Sequence, residues 1–230
     1  RQIAEHHARA DDRITVLVQP NAGVAAARNL AIAQASGRYI APIDADDLWA
    51  ADKIERQLAA MRAGKGRVGL VYCWYARIDE DDRIIDRVAR AQAEGNVITA
   101  MCNRNIVGNG SAPLMLREAV LAAGCYDPGL RAIGAEGCED YKLYFRIAER
   151  YEFALIRDFL VGYRASPDSM SQQFDRMIRS RAAVTAEIRA RHPNMADVLR
   201  GGNIRAKRFL LTHSLRWRRF GSAAIILTEM

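Results

Sequence analysis

The sequence predicts an α/β fold in which a mixed, mainly parallel sheet is flanked by helices, with a helical extension at the C-terminus. Three observations support this prediction. Strand and helix patterns alternate up to residue 76, which is typical of a parallel sheet. The later strand patterns add an antiparallel or mixed part. Half of the 230 residues are hydrophobic, which is enough to bury the core of one domain.

Each predicted element rests on its hydrophobic pattern and on the residues at its ends. Strands are predicted at 14–18, 39–43, 68–76, 112–116 and 153–163, and helices at 1–10, 23–36, 50–63, 117–124, 139–150, 172–191 and about 196–219. Asn21 and Gly23 mark the turn before the second helix, and Gly37 marks its end. We expect residues 1–170 to form the sheet domain and residues 171–230 to form the helical extension.

The strand predicted at 39–43 ends in a cluster of carboxylates, Asp44, Asp46 and Asp47. The carboxyl end of such a strand is where α/β folds bind their ligands. Carboxylates this close repel one another unless water solvates them or a cation lies among them. The cluster therefore predicts either a solvated acidic turn or a cation site suited to a diphosphate.

The residues around this cluster match the pattern of one large enzyme family. That pattern is Asn-x-Gly-x-x-x-Ala-Arg-Asn, a Gly-x-aromatic strand, Asp-x-Asp-Asp with an aromatic residue, and a helix that contains lysine. The chain supplies Asn21, Gly23, Ala27, Arg28, Asn29, Gly37, Tyr39, Asp44, Asp46, Asp47, Trp49 and Lys53. In these residues it resembles the family two inverting glycosyltransferases, which have the Rossmann-like GT-A fold and use nucleotide sugars.

Further matches lie later in the chain. The segments 124–127 and 139–149 resemble the family's Gly-Gly-Phe-Asp and Glu-Asp-x-x-Leu-x-x-Arg patterns, and 163–171 is similar to the stretch that follows them. The family's first strands, which hold the nucleotide base and ribose, have no match here. We therefore expect the chain to be a fragment that lacks those strands, because a sheet beginning with a bare helix would expose an edge.

The resemblance implies a reaction and assigns residues to it. A sugar passes from a nucleoside diphosphate to an acceptor hydroxyl with inversion, as in bacterial polysaccharide or glycolipid synthesis. Asp140 is implied as the catalytic base, and Arg28, Asp44 and Asp46 are implied to bind the donor. The DXD motif implies a divalent metal, Mn or Mg, held by Asp46 or Asp47.

The resemblance also implies the partners of the chain. Glu139 and Ser111 are implied to contact the acceptor, together with Asn109 and Gly110. The expected donor is a nucleotide sugar, above all a UDP-sugar, and the expected acceptor is a glycan or a lipid-linked sugar.

Each of these roles has a structural alternative that the residues alone leave open. Asp47 could cap the helix predicted at 50–63. Glu139 and Asp140 open a helix, where the helix dipole favours negative charge. Arg28 could lie on the outer face of its alanine-rich helix.

The net charge of +7 reflects a basic C-terminal stretch that also carries apolar side chains. Its members are Arg200, Arg205, Lys207, Arg208, Arg216, Arg218 and Arg219, with Phe209, Leu210, Leu211, Leu215, Trp217 and Phe220. This pattern is typical of a helix in peripheral contact with a membrane. It is also typical of a helix packed on its own domain or on a second subunit, and we favour this second interpretation. No nucleic-acid module accompanies the charge, so we expect no nucleic-acid partner.

The remaining observations concern compartment and rival functions. No apolar run is long enough to span a bilayer, and the four cysteines lack Cys-x-x-Cys spacing, which predicts reduced thiols. We expect a cytoplasmic protein, with a peripheral position on the inner face of the membrane as one option.

Two other functions were considered from the sequence. A sugar nucleotidyltransferase is an alternative, although its pattern lacks the Glu139-Asp140 segment. A noncatalytic nucleotide-sugar-binding scaffold would be expected to have lost one carboxylate pair, and both are present.

Overall fold

The computed structural model describes residues 1–89, 91–166, 173–216 and 218–228. The helices are α1 (Gln2–Ala10), α2 (Gly23–Gln34), α3 (Lys53–Ala63), α4 (Ile98–Asn103), α5 (Arg117–Ala122), α6 (Gly129–Ala132), α7 (Glu139–Ala148), α8 (Phe174–Arg191), α9 (Ala196–Arg216) and α10 (Phe220–Thr228). The strands are β1 (Tyr39–Ile40), β2 (Leu48–Trp49), β3 (Val68–Ile78), β4 (Ile84–Val88), β5 (Leu114–Leu116) and β6 (Glu152–Arg164).

One mixed sheet organises the domain. Its strand order is β1-β5-β3-β6-β2, and β4 pairs with β3. The pair β3 and β6 is parallel, and the other described pairs are antiparallel. The predicted α/β class with a mixed sheet flanked by helices is confirmed, although the parallel part is smaller than expected. One reason is that β4 returns from β3 through a short turn, which forces antiparallel pairing.

Strand β3 is central because both of its faces are apolar. Leu70, Val71 and Tyr72 are all 0% exposed, and alternate side chains point to opposite faces. Leu70 and Tyr72 belong to the main core with residues of α7. Val71 packs on the other face with Met61 of α3. The sheet is therefore fixed between helices on both sides.

Two predicted strands differ from the structure. Residues 14–18 form no strand, and Ile14 and Val18 are exposed. A strand needs a neighbour for its backbone groups, and within the described residues no segment pairs with this one. The strand predicted at 39–43 is reduced to β1 because Pro42 has no N–H to donate to a ladder.

The predicted helices lie close to their expected positions, while α4, α6, α10, β2 and β4 were not predicted. Helix α3 begins at Lys53, and Asp52 occupies its N-cap position. The alternative role of Asp47 as the cap of this helix is therefore wrong. The four cysteines form no disulfide. Within the described ranges, no helix combines the length and the apolar character that crossing a membrane requires.

The C-terminal helices pack on the sheet domain. Helix α9 lies so close to α4 that a Cβ at Gly202 would stand 2.5 Å from the carbonyl oxygen of Asn103. Leu210 of α9 joins a small core with Phe174 of α8 and Ile226 of α10. The alternative of a helix packed on its own domain is therefore confirmed for this part of α9. The boundary near residue 170 stays a prediction.

Candidate active site

A cleft of about 800 Å³ lies between the sheet domain and helices α8 and α9. Its volume is in the usual range for small-molecule sites. Residues from distant parts of the sequence meet in its wall, among them Arg28, Asp44, Asp46, Asn109, Glu139 and Asp140. The cleft therefore brings the two carboxylate pairs of the sequence motifs together.

One buried serine holds the turn after β1 that carries Asp44, Asp46 and Asp47, which we call the acidic turn. Ser111 is 0% exposed, and its Oγ accepts the N–H of Asp44 at 2.9 Å. The same hydroxyl donates to Asp47 Oδ2 at 2.5 Å. Asp47 Oδ1 accepts the N–H of Arg164 at 2.9 Å. Ser111 thus uses its hydroxyl group within the turn and does not line the cleft, so the predicted acceptor contact of Ser111 is not supported.

The three carboxylates of the turn have different surroundings. Asp47 is 7% exposed, and burial raises its pKa although the hydrogen bonds from Ser111 and from the backbone lower it. Asp44 pairs with Arg28. Asp46 is exposed, and its carboxylate has no hydrogen-bond or ion-pair partner in the part of the chain that the structure describes. Asp46 is therefore the one of the three that is available to an outside ligand.

The turn fits a divalent ion that a substrate helps to hold. Among the described residues, no group of three or more His, Cys, Asp or Glu side chains could bind a metal by itself. Mg and Mn need only one or two protein carboxylates when phosphate oxygens and water complete the shell. Asp46, with Asp44 two residues before it, could supply the protein part of such a donor set.

Arg28 faces the cleft. It forms an ion pair with Asp44, and its guanidinium lies 5.2 Å from the centroid of the Tyr126 ring. A Cβ at Gly110 would stand 2.6 Å from Arg28 Nη2 and 3.0 Å from Asp44 Oδ2. The alternative position on the outer face of α2 is therefore wrong, and Gly110 is small because this ion pair packs on it.

Two other motif residues, Lys53 and Trp49, connect the acidic turn to helix α3. Lys53 is 0% exposed, its Nζ donates to Gln57 Oε1 at 2.8 Å and it lies 4.0 Å from the centroid of the Trp49 ring. Burial lowers the pKa of Lys53 to about 8. Trp49 Nε1 donates to the carbonyl oxygen of Ser111 at 2.9 Å. Helix α3 is therefore joined to the turn through the two residues Trp49 and Ser111.

Asp140 lies in the first turn of α7. Its Oδ1 accepts the N–H of Tyr141 at 2.6 Å, and its Oδ2 lies 3.4 Å from Asn105 Nδ2. Burial raises the pKa of Asp140 to about 6, although the Tyr141 N–H and the charge of Arg28 lower it. A carboxylate with this pKa is still ionised at neutral pH, and it takes up a proton more readily than an ordinary aspartate.

Glu139 and Asn109 complete this end of the cleft. Glu139 is 5% exposed, its Oε2 accepts the N–H of Gly137 at 2.9 Å and burial raises its pKa. Asn109 Nδ2 is buried without a hydrogen-bond partner among the described residues. An unsatisfied buried donor costs about 1–3 kcal/mol, which a ligand oxygen would remove. Sequence reasoning named both residues, but it did not find this free donor.

The C-terminal helices also line the cleft, which sequence reasoning missed. Arg181 of α8 and Arg205 of α9 contribute to its wall, with Phe174 and Phe209 beside them. The available signal was the basic and aromatic pattern of α9, which is also typical of membrane contact or of packing on a domain or a second subunit. Parts of two predicted patterns, Ser169-Met170-Ser171 and Trp217, lie outside the described residues.

Comparison with known proteins supports the same family. A family model described as "Glycosyltransferase like family 2" matches residues 7–190. The putative teichuronic acid biosynthesis glycosyltransferase TuaG of Bacillus subtilis is 35% identical over 158 residues, covering 62% of this chain and 62% of TuaG. The Escherichia coli UDP-Glc:alpha-D-GlcNAc-diphosphoundecaprenol beta-1,3-glucosyltransferase WfgD is 36% identical over 164 residues, covering 70% of this chain and 59% of WfgD. The chain thus spans less than two thirds of the length of these relatives.

Solved structures show the fold. S. aureus TarS 1-349 in complex with UDP-GlcNAc superposes with a TM-score of 0.62 at 10% identity, covering 86% of this chain and 57% of that one. The mannosyltransferase PcManGT from Pyrobaculum calidifontis, in complex with GDP-Man and Mn2+, has a TM-score of 0.55 at 16% identity, with coverage of 99% and 66%. The fold is thus that of the GT-A glycosyltransferases, and by the family match the chain belongs to glycosyltransferase-like family 2.

Proposed function

We propose that this chain catalyses transfer of a sugar from a nucleoside diphosphate to an acceptor hydroxyl with inversion. The observation that carries the proposal is the meeting of Asp44 and Asp46 with Asp140 in one cleft. Membership of glycosyltransferase-like family 2 supports the reaction class. The names of TuaG and WfgD support a role in bacterial cell-envelope polysaccharide or glycolipid synthesis.

The donor belongs at the acidic turn in this proposal. Asp46, with Asp44 beside it, would hold a Mn or Mg ion, and such an ion supplies positive charge that neutralises a departing diphosphate. Arg28 adds a further positive charge next to Asp44. Asp47 holds the turn through Ser111. The complexes of TarS with UDP-GlcNAc and of PcManGT with GDP-Man and Mn2+ support a nucleotide sugar and a divalent ion, and we propose a UDP-sugar.

Asp140 is the proposed catalytic base. Its carboxylate takes the proton of the acceptor hydroxyl, while that oxygen bonds to the anomeric carbon from the face opposite the diphosphate. The bond between the anomeric carbon and the diphosphate oxygen breaks, and its electron pair leaves with the diphosphate. The product then has the inverted configuration. Glu139 and Asn109 line the cleft, and we propose that they hold sugar hydroxyls.

The acceptor and the cellular position are also proposals. We propose a glycan or lipid-linked acceptor and a cytoplasmic enzyme in peripheral contact with the inner face of the membrane. Phe220, Ile225 and Leu227 of α10 are exposed, close in sequence to Arg216 and Arg218. An apolar surface beside basic residues is the usual composition of a membrane-contacting helix. A sugar nucleotidyltransferase has no comparable support, because the family match points to glycosyl transfer.

A donor screen tests the proposal. The full-length protein is incubated with UDP-glucose, UDP-N-acetylglucosamine, UDP-galactose or GDP-mannose in the presence of Mn, Mg or EDTA, and released nucleoside diphosphate is measured. We expect release from one of these donors with metal and none with EDTA, and a large loss of release in Asp140→Asn. Release that depends on neither the metal nor Asp140, or no release from any donor, would contradict the proposal.

A further inference from the structure

The part of the cleft wall that helices α8 and α9 form, which we call the basic end, carries two arginines. Arg181 and Arg205 line it, and neither has a carboxylate partner in the described ranges. The carboxylates of the wall lie elsewhere, at the acidic turn and at the start of α7, apart from Asp86, which pairs with Arg77. The cleft wall therefore has an acidic end, formed by the acidic turn and the start of α7, and a basic end, formed by α8 and α9.

Both guanidinium groups are held by uncharged partners. Arg205 donates to the side-chain oxygen of Asn103, and Arg181 Nη2 lies 3.5 Å from the carbonyl oxygen of the same residue. Arg181 Nε donates to Asn203 Oδ1 at 3.0 Å, and its guanidinium lies 5.3 Å from the centroid of the Tyr141 ring. These contacts fix the position of two positive charges without neutralising them.

Two positive charges that meet on one asparagine repel each other, and a bound anion removes that repulsion. Guanidinium groups bind phosphate oxygens through paired, charge-assisted hydrogen bonds. The close packing of α9 on α4 at Gly202 holds Arg205, three residues later, on the same helix face. Phe174, Met177 and Phe209 give this end of the cleft an apolar wall as well.

We infer that Arg181 and Arg205 form a subsite for a phosphate or diphosphate group of the acceptor. This inference rests on the proposed function, since it places the donor at the acidic turn and leaves the basic end to the second substrate. The phosphate could belong to a lipid-linked sugar or to a free sugar phosphate. Phe174 and Phe209 favour an acceptor in which an apolar group is esterified to the phosphate.

Calorimetry tests the subsite without the donor. Binding of farnesyl diphosphate, inorganic pyrophosphate and farnesol is measured in EDTA on the wild-type chain, Arg181→Gln, Arg205→Gln, Arg205→Lys and Arg208→Gln. Arg208 is the matched control because it is exposed on the same helix and is absent from the cleft wall. Thermal melting checks that each variant keeps its fold.

We expect farnesyl diphosphate to bind about tenfold more weakly to each glutamine variant of the subsite, the usual loss for one charged hydrogen bond. The Arg208 variant should bind like the wild type, and Arg205→Lys should recover part of the affinity. Tighter binding of farnesyl diphosphate than of pyrophosphate would identify a lipid-linked acceptor. Equal binding of the two would identify a phosphate without an apolar ester.

Two results would overturn the inference. One is equal affinity for farnesyl diphosphate in all folded variants, and the other is binding of farnesol as tight as that of farnesyl diphosphate. Binding of UDP with Mn, measured on the same variants of the full-length protein, separates this inference from the proposed function. Unchanged UDP binding with no effect on the diphosphate probe refutes the subsite alone, whereas absence of Mn-dependent UDP binding in the wild type refutes the donor site on which it rests.

Discussion

The two ends of the cleft are built in different ways. At the acidic end, Ser111 and Asp47 fix the turn through buried hydrogen bonds that connect it to β6. At the basic end, Arg181 and Arg205 reach the cleft from helices and are held by uncharged side-chain and backbone groups. On our proposals, the rigid end positions the groups that react and the helical end selects the acceptor. The two ends should therefore respond to substitution in different kinetic parameters.

The largest expected effect is at the acidic end. Asp140→Asn removes the proposed base while keeping the shape of the side chain. Turnover should fall by about 10²–10⁴, the usual value of general-base assistance, with donor affinity nearly intact. Diphosphate release and calorimetry with the donor measure the two quantities. Near-normal turnover in the folded variant would show that Asp140 is not the base, and Glu139 would then be tested.

Substitution of two neighbouring aspartates should change two different quantities, ligand affinity for Asp46 and folding stability for Asp47. Asp46→Asn should weaken Mn-dependent UDP binding about tenfold or more and leave the melting temperature nearly unchanged, because its exposed carboxylate makes no hydrogen bond or ion pair among the described residues. Asp47→Asn should instead lower the free energy of unfolding by about 1–3 kcal/mol, because buried hydrogen bonds are disturbed. Urea titration and calorimetry on both variants provide the comparison. If Asp47→Asn weakened UDP binding and Asp46→Asn lowered the free energy of unfolding, Asp47 would be the metal ligand.

The pH profile of turnover should report Asp140. Burial raises the pKa of this carboxyl to about 6, and a base must be deprotonated to act. Turnover should therefore be constant above about pH 7 and fall about tenfold per unit below pH 6. The residual activity of Asp140→Asn should lack this slope. A wild-type profile that stays flat down to pH 5 would contradict the assignment.

The smallest expected effect is a gain in folding stability for Asp140→Asn. A raised pKa in the folded state means that the ionised carboxylate costs stability above pH 6, whereas there is no such cost below the unfolded pKa of about 3.9. Asp140→Asn removes that cost, so it should stabilise the chain at pH 8, by at most about 3 kcal/mol. The gain should vanish near pH 3.5. If Asp140→Asn is less stable than the wild type at pH 8, the ionised carboxylate of Asp140 does not lower the folding stability.

The acidic end of the cleft could be predicted from the sequence because each signal for it is local. A strand end, three close carboxylates and a helix start each lie within a few residues, and periodicity and punctuation identify such features. Asp44, Asp46 and Asp140 accordingly meet in the cleft. The α/β class followed in the same way from alternating strand and helix patterns.

The remaining features depend on contacts between distant residues. Ser111 could not be assigned to the turn because its partners Asp44 and Asp47 are 67 and 64 residues away. Whether Arg28 faced the cleft depended on Gly110 and Asp44. The contribution of Arg205 depends on α9 packing against α4, which no local pattern encodes.

A steady-state titration of the acceptor compares the two ends most directly. Turnover and the acceptor KM are measured in one assay for the wild type, Asp140→Asn and Arg205→Gln, with the donor saturating. We predict that Asp140→Asn lowers kcat with little change in acceptor KM, and that Arg205→Gln raises acceptor KM about tenfold with little change in kcat. A change of the same parameter in both variants, or an unchanged acceptor KM in Arg205→Gln, would show that the two ends of the cleft do not have these separate roles.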